Sequence, residues 1–152
     1  MFNIKIIGII IALLGLVGLG VGGAFVGVGL VRNNQVVEGI RAEKITLGID
    51  AAEVAKGEVV DTITEAEKAA EILTAHRRNI AATYGELLAG NKFDATNPTQ
   101  LTYAQALNLQ NNMYTAVAAM GLAQSIIANG AFMIATGAGL IFAGFAIRKT
   151  GK

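Results

Sequence analysis

His76 is the single histidine of the chain, and Tyr84 follows it by eight residues in a stretch patterned as a helix. An imidazole there has three uses: a packed and hydrogen-bonded core residue, a pH reporter with an unperturbed pKa of ~6.5, or, with Tyr84, one wall of a pocket. Glu65, Glu67 and Glu71, followed by Arg77 and Arg78, have the spacing of a solvated helix face with ion pairs along it rather than of an acid–base pair. Gln124 and Asn129 lie within an otherwise apolar run, where their amides call for hydrogen bonds to a neighbouring helix. No Asp, Glu, Lys or Arg accompanies them to carry an ion or a proton. The chain has no cysteine, which removes thiolate metal sites, a Cys nucleophile and disulfides. No phosphate-binding loop, nucleophile elbow or metal-ligand spacing is present. These residues assign no catalytic set, no metal and no cofactor, and the chain reads as a non-enzyme.

The elements that carry these residues are set by hydropathy. Charged residues make up only 15% of the 152, and the mean hydropathy is +0.54, too little polarity for the surface of a soluble domain of this size. The net charge of +1 hides an uneven layout: all eleven acidic residues fall between Glu38 and Asp94, while Lys5, Arg32, Arg148, Lys149 and Lys152 flank two apolar runs. Interleaved carboxylates of this kind argue against a nucleic-acid partner.

The first run, residues 6–31, exceeds the ~7 to 15 residues of a signal-peptide core. It reads as a retained transmembrane helix about 39 Å long. Gly8, Gly15, Gly22 and Gly29 recur every seven residues, with Gly18 on the same stripe, leaving one helix face as bare backbone. In lipid such a face lets a second backbone approach closely. Gly18 with Gly22, and Gly23 with Gly27, form GxxxG pairs. The second span is placed at residues 117–147, where Gly121, Ser125, Asn129 and Thr136, with Gly139 and Ala143, fall near one face. The partner of the first stripe is that face, in the same chain or in a neighbour.

Between the spans, residues 32–116 read as a mainly helical extramembrane segment. Residues 44–49 suggest a short extended piece, and residues 50–56 one or two helical turns before Gly57. A helix is expected over residues 64–89, opened by a Thr64–Glu67 capping box and closed at Gly90. Its buried stripe is read as Ala66, Ala69, Leu73, His76, Ile80, Tyr84 and Leu87. The matching stripe, Ala106, Leu109, Met113 and Ala116, belongs to a helix opening at Asn97-Pro98 or at Thr102 to Gln105 and running on into the second span. The expected architecture is all-α: two transmembrane helices and an antiparallel extramembrane helical hairpin.

Several of these segments, Lys44-Ile45-Thr46 through Asp50-Ala51, Ala66 to His76, Thr83-Tyr84-Gly85-Glu86-Leu87 and Met113-Tyr114-Thr115-Ala116-Val117 into Gly121, together resemble a group of small two-span membrane proteins of actinobacteria and related bacteria. That group often carries the label "aromatic ring-opening dioxygenase". The resemblance implies a bacterial membrane protein but no activity to carry over. A ring-cleaving non-haem iron site needs two histidines and a carboxylate, and His76 is alone. Gly18-Leu19-Gly20-Val21-Gly22-Gly23-Ala24 is similar to the glycine-rich helix of rotary ATPase c-subunits, which pack as rings. The ion-binding carboxylate of those proteins has no counterpart in either apolar run here.

Orientation follows the basic residues. Arg148, Lys149 and Lys152 mark the tail, residues 148–152, as cytoplasmic. With two spans both termini are then cytoplasmic and residues 32–116 extracytoplasmic, in a bacterial cytoplasmic membrane. The expected role is a structural component, self-assembling or an accessory subunit of a larger membrane complex. Its partners would be the bilayer, copies of itself or other membrane subunits. The alternative is an anchored extracytoplasmic sensing module with a pocket at His76 and Tyr84.

Overall fold

The computed structural model describes residues 4–150, and among them the chain is all-α, with five helices and no strand. They are α1 (Ile4–Ala42), α2 (Ala51–Val54), α3 (Ile63–Ile80), α4 (Tyr84–Leu88) and α5 (Pro98–Thr150). Helices α1 and α5, of 39 and 53 residues, are long and apolar enough to cross a membrane. A core helix of a soluble protein with that composition would be mostly buried. Only 11% of the most apolar stretch of α1 and 17% of that of α5 is buried, and side chains such as Leu14, Val17, Phe132 and Phe142 point outward.

The chain divides into two compact units, and α1 and α5 contribute to both. One unit holds α1 up to Asn34 and α5 from Leu122 onward. Within it the two helices run antiparallel, since Gly8 meets Gly144, Gly15 meets Gly137 and Gly22 meets Gly130.

The other unit, Gln35–Gly121, has a core built from three helices and the fully buried Val60 of the loop before α3. The end of α1 supplies Ile40, with Val36 and Val37 packed against it. Helix α1 thus outlasts the first apolar run by a further eleven residues, to Ala42. The stretch after Val31 is polar but holds no proline, and its Val36, Val37 and Ile40 fall at helical spacing on one face. Helix α3 supplies Ala66, Ala69, Ala70 and Leu73, and α5 supplies Ala106, Met113, Ala116 and Met120. The small alanines of α3 allow close approach, and the methionines of α5 fill the irregular space left.

Local signals set the ends of these elements. Helix α3 opens two residues earlier than Thr64: the Thr62 hydroxyl accepts from the Glu65 backbone N–H, and the Glu65 carboxylate accepts from the Thr62 N–H. It stops at Ile80, where Ala81 is extended, and Thr83 caps the separate short helix α4 through the Glu86 N–H. A second Thr-x-x-Glu cap inside the expected helix therefore breaks it in two. Helix α5 begins with Pro98 in the first turn, where its missing N–H costs nothing. The Asn97 side chain accepts from the Thr99 and Gln100 N–H groups.

No ladder forms over residues 44–49. They make turns held by the Val60 N–H to the Ile45 carbonyl at 2.7 Å and by an Arg41–Asp61 ion pair at 2.6 Å. Gly48, at φ +86°, is required there: a Cβ would stand 3.2 Å from Ile72 Cδ1 and 3.3 Å from Lys68 Cγ.

Candidate functional site

Among the described residues, chemistry-bearing side chains do not gather at one place, and the most specific geometry is a backbone one. A Cβ on Gly8, Gly15 or Gly22 would stand 2.6, 2.5 or 2.7 Å from the carbonyl oxygen of Gly144, Gly137 or Gly130. The relation is reciprocal: Cβ atoms on Gly130, Gly137 and Gly144 would stand 2.7, 2.7 and 2.5 Å from the carbonyl oxygens of Gly22, Gly15 and Gly8. The hydrogen occupying each of those directions points at a carbonyl oxygen across the interface, a pattern of paired Cα–H···O contacts worth about 0.5–1 kcal/mol each. Gly29 continues the seam, where a Cβ would meet Ile127 Cγ1 at 2.5 Å and the Ala123 carbonyl oxygen at 3.0 Å. Gly18 lies at its edge, with ordinary clearance of 3.4 Å to Gly137 Cα.

The face of α5 in this seam is not the one expected. Ala123, Gly130, Gly137 and Gly144 are buried, while Ser125, Asn129 and Thr136 are exposed and the half-buried Gly121 has open space where a Cβ would go. The reason is register. Partners at every seventh residue on α1 demand small residues at every seventh residue on α5, and only the Ala123 to Gly144 series provides them. That series was present in the sequence, running back to Ala116, and was the signal to follow. Gly20, Gly23, Gly27 and Gly139 stand outside the seam with open space around them.

In the Gln35–Gly121 unit the stripe of α3 turns inward through Arg77, whereas His76 is exposed. Steps of three and four residues pass from Leu73 to Ile80 through either position, and hydrogen bonding decides between them. The Arg77 guanidinium donates Nε–H to Gln110 Oε1 at 3.1 Å and Nη1–H to the Tyr103 hydroxyl, and its Cζ lies 5.0 Å from the Tyr103 ring centroid. Tyr103 is fully buried and Gln110 nearly so, so Arg77 satisfies two polar groups that burial would otherwise penalise. Tyr84 packs its ring against Tyr103 with centroids 6.1 Å apart, and stays 43% exposed. His76 and Tyr84 thus do not share a pocket wall: one faces out, the other covers the tyrosine beneath it. The Arg77–Tyr103 contact ties the end of α3 to the start of α5, with α4 between them in the chain.

Electrostatics in this unit is local. Burial pushes the Glu65 carboxyl up, but the Asp61 N–H, the Thr62 hydroxyl and N–H, and the nearby Lys68 charge outweigh it and hold the group below its ordinary value. Asp94 is held low by the Thr96 hydroxyl and N–H, which it accepts at 2.7 and 2.8 Å. Among the described residues no group of three or more His, Cys, Asp or Glu side chains converges in a way that would hold a metal ion. An open polar groove of this unit lies elsewhere, bordered by Arg41, Lys44, Glu58 and Asp61, with the opposite charges of Arg41 and Asp61 already paired. Comparison with protein-family models, curated proteins and solved structures finds no match.

Proposed function

We propose that this chain is a structural component of a membrane, acting by helix packing, either as a self-assembling unit or as a small accessory subunit of a larger membrane complex. The observation that carries the reading is the division of its glycines into two sets. Gly8, Gly15, Gly22 and Gly29 are consumed by α5 of the same chain, while Gly20, Gly23 and Gly27 of α1 remain open. A closed helical hairpin needs one small-residue face per helix, and a second face on α1 suits contact with another helix in lipid. The outward apolar side chains of both long helices support placement in hydrocarbon. The basic cluster Arg148, Lys149 and Lys152 supports cytoplasmic termini and an extracytoplasmic acidic unit. The resemblance to small two-span actinobacterial proteins points to a bacterial cytoplasmic membrane. A non-enzymatic role fits the use of the polar interior, where Arg77, Gln110 and Tyr103 satisfy one another.

The alternative of a sensing module at His76 and Tyr84 draws less support, because the two side chains do not enclose a common space. The test is the native mass of the complex extracted from its source in lipid particles, with every co-purifying chain identified. A multiple of 15.7 kDa means self-assembly, and a mixed complex means an accessory subunit. A lone monomer with no partner at any lipid ratio overturns both.

A further inference from the structure

Beside the Gly8–Gly144 crossing, the seam opens into a groove of ≈ 250 Å³. It has Ala12 and the buried Gly144 at its floor, the exposed Leu13, Leu16 and Phe145 as walls, and Arg148 at one end. The larger neighbours on either side of the close Gly8–Gly144 approach make the walls. The Arg148 end is fixed by geometry: a Cβ on Gly8 would stand 2.9 Å from the Arg148 backbone nitrogen. Leu16 lies eight residues along α1 from Gly8, so the groove is about 12 Å long, close to the ~15 Å of one leaflet of hydrocarbon. Its two chemistries are separated along that length. The floor and walls are hydrocarbon, and the positive charge of Arg148 sits only at the end where headgroups lie.

We propose that this groove is a binding site for one anionic phospholipid, with an acyl chain lying over Ala12 and Gly144 and the headgroup phosphate on the Arg148 guanidinium. A guanidinium matches phosphate oxygens with paired N–H donors. A zwitterionic lipid offers the same chain and phosphate but adds a cation that Arg148 repels, which gives the site its preference. The inference rests on the membrane placement above.

The full chain is reconstituted in lipid nanodiscs of phosphatidylcholine containing a minority of phosphatidylglycerol, then released and weighed by native mass spectrometry. The expected result is one retained phosphatidylglycerol per chain. Retention should fall about fivefold in Arg148→Gln, as expected for loss of one favourable charge at a headgroup. It should be unchanged in Lys149→Gln, which removes the same charge outside the groove, and it should be lost in Leu13→Trp, where an indole fills the groove. Circular dichroism on each variant reads retained helix. Equal losses in Arg148→Gln and Lys149→Gln overturn the site in favour of unspecific charge attraction, and retention in Leu13→Trp overturns it as well. A chain that purifies without detergent and carries no lipid overturns the membrane placement and the site together. A chain that stays in the nanodisc but retains both lipids equally overturns the site alone.

Discussion

Gly15 and Gly137 meet backbone to backbone: a Cβ on Gly15 would stand 2.5 Å from the Gly137 carbonyl oxygen, and one on Gly137 would stand 2.7 Å from that of Gly15. Neither neighbour is a flexible side chain end that swings away. Gly15→Ala therefore separates the helices locally and destabilises the pair by about 1–3 kcal/mol. Gly20→Ala and Gly23→Ala, with open space around them within the chain, are neutral or favourable by up to about 1 kcal/mol through helix propensity where micelles hold the chain as a monomer. Reversible unfolding in mixed micelles separates the two classes. Equal effects at Gly15 and Gly20 would contradict the assignment of faces.

Arg77 rather than His76 secures the Gln35–Gly121 unit. Arg77→Ala leaves Gln110 and the Tyr103 hydroxyl buried without that donor and costs about 1–3 kcal/mol. His76→Ala, on an exposed position, stays within about 0.5 kcal/mol. Thermal unfolding of the full chain in detergent, followed by tyrosine fluorescence, reads both, and a larger loss at His76 would reverse the reading.

Acid should loosen the start of α3. The Glu65 carboxyl lies below its ordinary value of 4.5 in the folded chain. Its contribution to stability is therefore complete above pH 4.5 and is lost as pH falls through the lower folded value. In Glu65→Gln, which keeps the capping geometry without the charge, the stability–pH curve flattens in that acid window. An unchanged acid slope would remove Glu65 as its source.

Ala89 closes α4 at φ +46°, in the left-handed region, followed by Gly90 at +81°. An alanine there carries Cβ strain of about 1–2 kcal/mol. Ala89→Gly relieves it, offset in part by the greater freedom of the unfolded chain. A net gain of up to about 1 kcal/mol in the Gln35–Gly121 unit is the expected outcome of chemical denaturation, and a net loss would contradict the assigned conformation.

The legible parts of the sequence were those governed by a single period or a single cap. The two long helices follow from their uninterrupted apolar runs, and the start of α5 from Asn97-Pro98. The stripe Ala106, Leu109, Met113 and Ala116 follows from steps of three and four residues, and all four positions lie in or against the core. What failed had two solutions at the level of local pattern. Both Thr62 and Thr64 precede a glutamate by three residues, and only Thr62 has its backbone N–H within reach of that carboxylate. His76 and Arg77 both fit the stripe, and the choice rests on Tyr103 and Gln110, which lie more than twenty-five residues away. The face of α5 was misread because small polar residues were weighed alongside glycine. Backbone approach as close as that of Gly15 and Gly137 excludes any side chain at all.

The central claim is that one glycine face closes the chain on itself while another is left for a neighbour. It is tested most directly by comparing two double variants in lipid particles, Gly15→Leu with Gly22→Leu and Gly23→Leu with Gly27→Leu, by native mass and limited proteolysis. The account predicts that the first pair opens the helical hairpin and exposes it to protease. The second leaves the hairpin intact and reduces the complex to smaller species. A first pair that lowers the mass with the hairpin still protected, or a second pair that leaves the mass unchanged, would contradict it.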